Sequence, residues 1–173
     1  MTMRIFRGGS VFDGEALRPA SEVLVDDGGR VLEVRRIQGP PDGAQVVDFG
    51  PGTTLLPGLV DGHQHLSWGC TPNAVDGIPA DPAEQRAQAL SNARRALASG
   101  VTTVQDLGDS GYAVVDVRDA SRGDVRLPRM RASGPPITTV GGHCHFLTGA
   151  ETVPVTSRPR CGVVPSAAST SSR

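Results

Sequence analysis

Apolar and polar positions along the chain follow two different rhythms. Up to about residue 54 the apolar residues come in short alternating runs broken by turn residues, the pattern of half-buried strands. Arg4-Ile5-Phe6-Arg7 precedes a Gly8-Gly9 turn. Residues 22–25 and 30–34 flank Asp26-Asp27-Gly28-Gly29, a hairpin signal with glycine free to take a positive φ. Pro40-Pro41-Asp42-Gly43 is a further turn, and Gln45-Val46-Val47-Asp48 a further strand. Residues 1–54 therefore read as a small β unit.

From residue 55 the period changes. Leu55-Leu56-Pro57-Gly58-Leu59-Val60 is an apolar run closed by Asp61-Gly62, and it predicts a buried strand. Asp81-Pro82-Ala83-Glu84 predicts a helix start, with Asp81 as N-cap, proline in the first turn and an acid at the positive end of the dipole. That helix carries Ala89, Leu90, Ala93 and Leu97 on one stripe and stops at Gly100. A strand over 101–107 follows, then a weaker helix over 112–122, where Val114, Val115 and Val117 lower the propensity. Leu127-Pro128 leads into a third strand. The β-α-β-α-β succession predicts parallel pairing through crossovers. Residues 152–173 have no usable periodicity and read as an irregular tail.

The candidate chemistry sits where the first of these strands ends, in His63-Gln64-His65. Alternation along a strand sends His63 and His65 to the same side. Two imidazoles there can reach one metal ion, and zinc takes such nitrogens at about 2.0–2.1 Å. Asp61 reads as a turn or supporting residue of the same run.

These residues resemble the first barrel strand of the amidohydrolase superfamily, whose signature is a Pro-Gly-hydrophobic-Asp-x-His-x-His run. Gly100-Val101-Thr102-Thr103-Val104-Gln105-Asp106-Leu107-Gly108 resembles its second strand. Residues 131–139, followed by Gly141-Gly142-His143-Cys144-His145-Phe146, resemble a third strand and its loop, as in the imidazolonepropionase-like and prolidase-type branch. The likeness covers about residues 3–151. It implies an α/β fold: the N-terminal part of a (β/α)8 TIM-type barrel, about three βα units over residues 55–151, preceded by part of a small β-sandwich over 1–54. It implies a divalent metal, zinc first, held by His63 and His65. His143 and His145 fall in a loop at the barrel mouth, where substrate contact and a plain loop role are equally open. Their spacing also invites a four-histidine site with His63 and His65.

Size and composition narrow what the chain can do. A complete eight-fold barrel takes about 250 residues, against 173 here, and the family's strand-four lysine is missing because all 17 basic residues are arginine. The family's other metal-binding histidines and its catalytic aspartate have no counterpart in these motifs, so no catalytic residue is assigned. Net charge is −1 with a pI near 6.4, which suggests neither nucleic-acid nor membrane binding. Cys70, Cys144 and Cys161 are odd in number and widely spaced, implying no disulfide framework. No signal peptide or membrane-spanning run is recognisable, so the cytoplasm is the expected location.

The tail admits a specific explanation. Back-translated with a shifted frame, residues 165–173 can read Glu-Arg-Gly-Val-Asp-Val-Ile-Lys, which resembles the family's approach to strand four; a frameshift after about Glu151 is therefore expected. The expectation for function is a metal-dependent hydrolase by lineage, acting on C–N bonds of a cyclic amide or dipeptide-like small molecule. As written, the chain is expected to be an inactive truncated fragment. The alternative is a small non-catalytic half-barrel that binds a metal or a partner. Substrate identity and oligomeric state stay open.

Overall fold

Asp26 and Gly29 turn the chain as their chemistry requires: the Asp26 carboxylate accepts the Arg30 amide at 2.8 Å, and Gly29 takes a φ of +82°. The computed structural model describes residues 3–147 and 150–153. Their contacts divide into two units, Met1–Gly58 and Leu59–Arg173.

The first unit holds β1 (Arg4–Arg7), β2 (Ser10–Phe12), β3 (Leu17–Pro19), β4 (Ser21–Val25), β5 (Val31–Arg36), β6 (Gln45–Asp48) and β7 (Thr54–Leu55). One sheet runs β5-β4-β1-β6, with β4 antiparallel to both β5 and β1, and β6 parallel to β1. A second runs β3-β2-β7. The predicted hairpin and the strand at Gln45 are both present; β2, β3 and β7 are additions too short to show a period.

Register gives this unit a buried charge. Arg7 lies opposite Glu22 on β4, and Glu22 lies opposite Arg35 on β5. Glu22 is fully buried and accepts from Arg7 Nε at 2.7 Å and Arg35 Nε at 2.9 Å. Burial pushes its carboxyl up, but the two guanidiniums outweigh burial and hold it below the ordinary value.

The second unit opens with β8 (Leu59–Gln64), followed by a single 3-10 turn at Ala74–Gly77, α1 (Pro82–Ala98), β9 (Val101–Asp106), α2 (Ala113–Ala120) and β10 (Arg129–Ala132). Asp81 caps α1 by accepting the Ala83 amide at 3.0 Å, and Gly100, at φ +89°, ends it. The strands form one parallel sheet in the order β10-β9-β8, as the alternation of strand and helix predicts. Leu66, Ala89, Ala93, Val104, Val114, Val117 and Leu127 pack as its core.

Three expectations change in detail. The strand carrying the histidines starts at Leu59, and it is not buried: Leu59 is 54% and Val60 72% exposed. β8 pairs with β9 alone, so no strand among the described residues pairs with its other edge. The third strand ends at Ala132; β11 (Ile137–Thr139) pairs instead with β12 (Glu151–Val153) in a parallel two-stranded sheet. Thr152 and Val153 are thus in a strand, while the rest of the tail, with the frameshift reading, lies outside the described residues. Among the described residues no helix is long and apolar enough to cross a membrane.

Candidate metal centre

His63 is the fifth residue of β8 and His65 follows its last, so strand alternation brings their rings together. The two Nε2 atoms lie 3.3 Å apart, with ring centroids 5.2 Å apart and planes inclined by 74°. Asp61 shapes this strand end. One of its carboxylate oxygens accepts the His63 amide at 3.0 Å and the other accepts Gln64 Nε2 at 2.7 Å. Those bonds, the His63 amide first, hold the Asp61 carboxyl below its ordinary value. Both of its oxygens serve the turn, as its place in the run suggests.

The spacing fits a metal. Two nitrogens each about 2.0–2.1 Å from one tetrahedral ion lie roughly 3.3–3.4 Å apart, and His63 and His65 stand at 3.3 Å. His65 Nδ1 is 3.0 Å from the Gly108 carbonyl oxygen, which can only accept. A hydrogen bond there needs the ring proton on Nδ1, and a neutral ring so placed would present an Nε2 lone pair, the arrangement metal-binding histidines adopt. Among the described residues, no third His, Cys, Asp or Glu joins the pair.

Behind the pair, residues 66–68 are tied down from three directions. The Leu66 amide donates to Asp106 Oδ2 at 2.7 Å, and the Gly108 amide donates to Asp106 Oδ1 at 3.2 Å. Ser67 Oγ donates to Asp109 Oδ1 at 3.1 Å, while Asp109 Oδ2 accepts the Val114 amide at 2.6 Å. From α1, Asn92 Nδ2 donates to the carbonyls of Leu66 at 2.8 Å and Trp68 at 3.0 Å. Gln88 Nε2 donates to the carbonyls of Ser67 at 2.8 Å and Gly77 at 2.9 Å.

Both aspartates are fully buried. Burial drives the Asp106 carboxyl up to about 7, against the pull of its two amide donors, and the nearby Asp109 charge adds to the rise. Burial likewise raises Asp109, again against its donors. None of Asp106, Asp109, Gln88, Asn92 or Trp68 stands out in the sequence. A signal for the amides does exist: Gln88 and Asn92 sit at i, i+4 beside the apolar Ala89 and Ala93, polar residues on the edge of a buried stripe.

His143 and His145 lie in the loop between β11 and β12. His145 Nδ1 donates to the Gly142 carbonyl at 2.8 Å within that loop, and its ring meets Phe146 edge-on at 5.9 Å. Both histidines are exposed, and the described residues contain no four-histidine cluster. Cys70 is exposed and donates to Asn92 Oδ1 at 3.4 Å; Cys144 sits at φ +57°, and Cys161 lies outside the described residues. A cleft of about 340 Å³, lined by Arg118, Arg122, Asp124 and Arg129 among others, opens where α2 ends and β10 begins. The histidines stand at the other, C-terminal end of the strands.

A profile of the amidohydrolase family matches residues 54–163. A 5'-deoxyadenosine deaminase of Methanothermobacter thermautotrophicus is 32% identical over 118 residues, covering 60% of this chain and 27% of that protein. A crystal structure of a Xaa-Pro dipeptidase with methionine in its active site superposes with a TM-score of 0.74 at 28% identity, over 86% of this chain and 37% of that one. Molinate hydrolase gives a TM-score of 0.65 at 26% identity, over 80% and 31%. The chain thus spans between about a quarter and two-fifths of the length of these relatives.

Proposed function

From the premise that the chain belongs to the amidohydrolase family, we propose that by lineage it is a metal-dependent hydrolase for C–N bonds, with a cyclic amide or a dipeptide-like small molecule as substrate. The observation that carries this reading is the 3.3 Å approach of His63 Nε2 to His65 Nε2. In this reading residues 55–151 are the first three βα units of a (β/α)8 barrel, with part of a β-sandwich before them, and the location is cytoplasmic.

His63 and His65 hold a divalent metal, zinc first. A bound metal supplies Lewis acidity and lowers the pKa of a water molecule. This chain's own residues do the rest of what it contributes. Asp61 shapes the strand end, Asp106 and Asn92 hold the turn behind the imidazoles, and His143 and His145 contact the substrate from their loop. The dipeptidase and deaminase among its relatives support a C–N bond as the target.

A second reading, metal or partner binding without turnover, is favoured by one observation: among the described residues no third ligand or base joins the imidazole pair. Metal analysis of the purified chain, combined with hydrolysis assays on Xaa-Pro dipeptides and small lactams, separates the two. Bound zinc with turnover that His63→Ala abolishes supports the hydrolase. Bound zinc without turnover supports the second reading, and no metal at all removes both metal roles.

A further inference from the structure

The His65 ring is held by two residues, Gly108 and Trp68, and the metal reading makes no use of the second. The Trp68 indole stacks on it, with centroids 4.1 Å apart and planes inclined by only 16°. The Gly108 carbonyl oxygen takes its Nδ1 at 3.0 Å. Gly108 itself stands so close that an added Cβ would meet Cε1 at 3.3 Å and Nδ1 at 3.4 Å of the same ring.

These contacts divide the work. Stacking fixes the plane of the imidazole but leaves a half-turn of the ring about Cβ–Cγ possible, because that rotation keeps the plane. The Gly108 carbonyl removes this freedom, since only the orientation with Nδ1 toward it makes the bond. Trp68 Nε1 is buried and has no hydrogen-bond partner among the described residues. Among these residues the indole thus acts on His65 through its face and not through its donor.

We propose that Trp68 is a positioning residue: with the Gly108 carbonyl it clamps His65 as the Nδ1–H tautomer, holding its Nε2 lone pair beside His63. The inference deepens the metal reading and rests on it for its purpose. Its geometry belongs to the chain alone. In water the Nε2–H tautomer of a neutral histidine is the more populated, and that form points a hydrogen at the metal position.

The test is a long-range 1H–15N correlation spectrum of the full chain at neutral pH without metal. His65 is assigned by the loss of its signals in His65→Gln. The wild-type ring is expected to be protonated on Nδ1 alone. Trp68→Leu is expected to give a mixture of tautomers, and Trp68→Phe, which restores a stacking face, to return the wild-type pattern. An Nε2–H ring in the wild-type chain, an unchanged pattern in folded Trp68→Leu, or a lost pattern in Trp68→Phe overturns the proposal. If Trp68→Leu does not fold, the wild-type and Trp68→Phe spectra still decide. A zinc titration keeps the two readings apart. Trp68→Leu should bind about 10–100-fold more weakly than wild type, the usual cost of losing an outer partner of a ligand, and Trp68→Phe should bind as wild type. Wild-type chain that takes up no zinc yet shows the clamped tautomer removes the metal reading and leaves the clamp.

Discussion

Asp106 accepts the Leu66 amide at 2.7 Å across 40 residues of sequence, and this bond ties the turn behind the histidine pair to the neighbouring strand. The carboxyl that makes it is buried, with its pKa pushed up to about 7.

A definite pH dependence follows. In the unfolded chain Asp106 titrates near 3.8, in the fold near 7, so between these values the folded state binds more protons. Its contribution to stability is complete below pH 4 and is lost as the pH rises through 7, at up to about 1.4 kcal/mol per pH unit. Urea unfolding of the metal-free chain at pH 5, 6, 7 and 8 should show this decline. Asp106→Asn should reduce it, leaving the part that comes from the raised Asp109, and stability that instead climbs across that interval contradicts the assignment.

Asn92 holds two carbonyls of the same turn from the helix side. Asn92→Leu keeps the volume and removes both donors, and stranding a buried polar group costs about 1–3 kcal/mol. A loss of about 2–4 kcal/mol is expected in chemical denaturation. Arg86→Ala, which deletes the exposed pair with Asp116, should cost less than about 1 kcal/mol. Equal effects from the two substitutions would count against a structural role for the amide.

In the N-terminal unit, Glu22→Gln leaves Arg7 and Arg35 facing each other without the anion between them. Breaking a buried ion pair by removing one partner costs about 3–5 kcal/mol, and that loss should appear in the unfolding of this unit. Replacing all three residues together by apolar ones of similar size should cost much less.

The open flank of β8 makes a prediction about solution behaviour. Val60 is 72% exposed on a strand that pairs on one side only among the described residues. Unpaired apolar edges template association, and a lysine on the edge suppresses it. Val60→Lys should lower light scattering on concentration while leaving the far-ultraviolet circular dichroism unchanged. Scattering identical to wild type would place the association surface elsewhere.

What the sequence discloses and what it hides follow the range of the interactions. The Asp26–Gly29 hairpin and α1 are legible because turn residues, an N-cap and a stopping glycine act within a few positions. The convergence of His63 and His65 is legible for the same reason, since alternation alone puts them on one side. Asp106 is not, because its meaning lies in an amide 40 residues away. Nor is Trp68, which in sequence is an isolated aromatic and in space is the floor under His65. The exposure of Val60 is hidden differently: an apolar run announces a surface that wants cover, and not whether cover is present. The lengths of β11 and β12, three residues each, leave no period to read.

Trp68 is the chain's only tryptophan, and it lies flat against one of the two histidines at 4.1 Å. Its emission is therefore sensitive to that imidazole. A positively charged ring in van der Waals contact accepts an electron from an excited indole and darkens it, whereas a neutral ring does not. The intrinsic light of this protein is thus a built-in gauge of whether His65 carries a proton, readable in a dilute solution without label or probe.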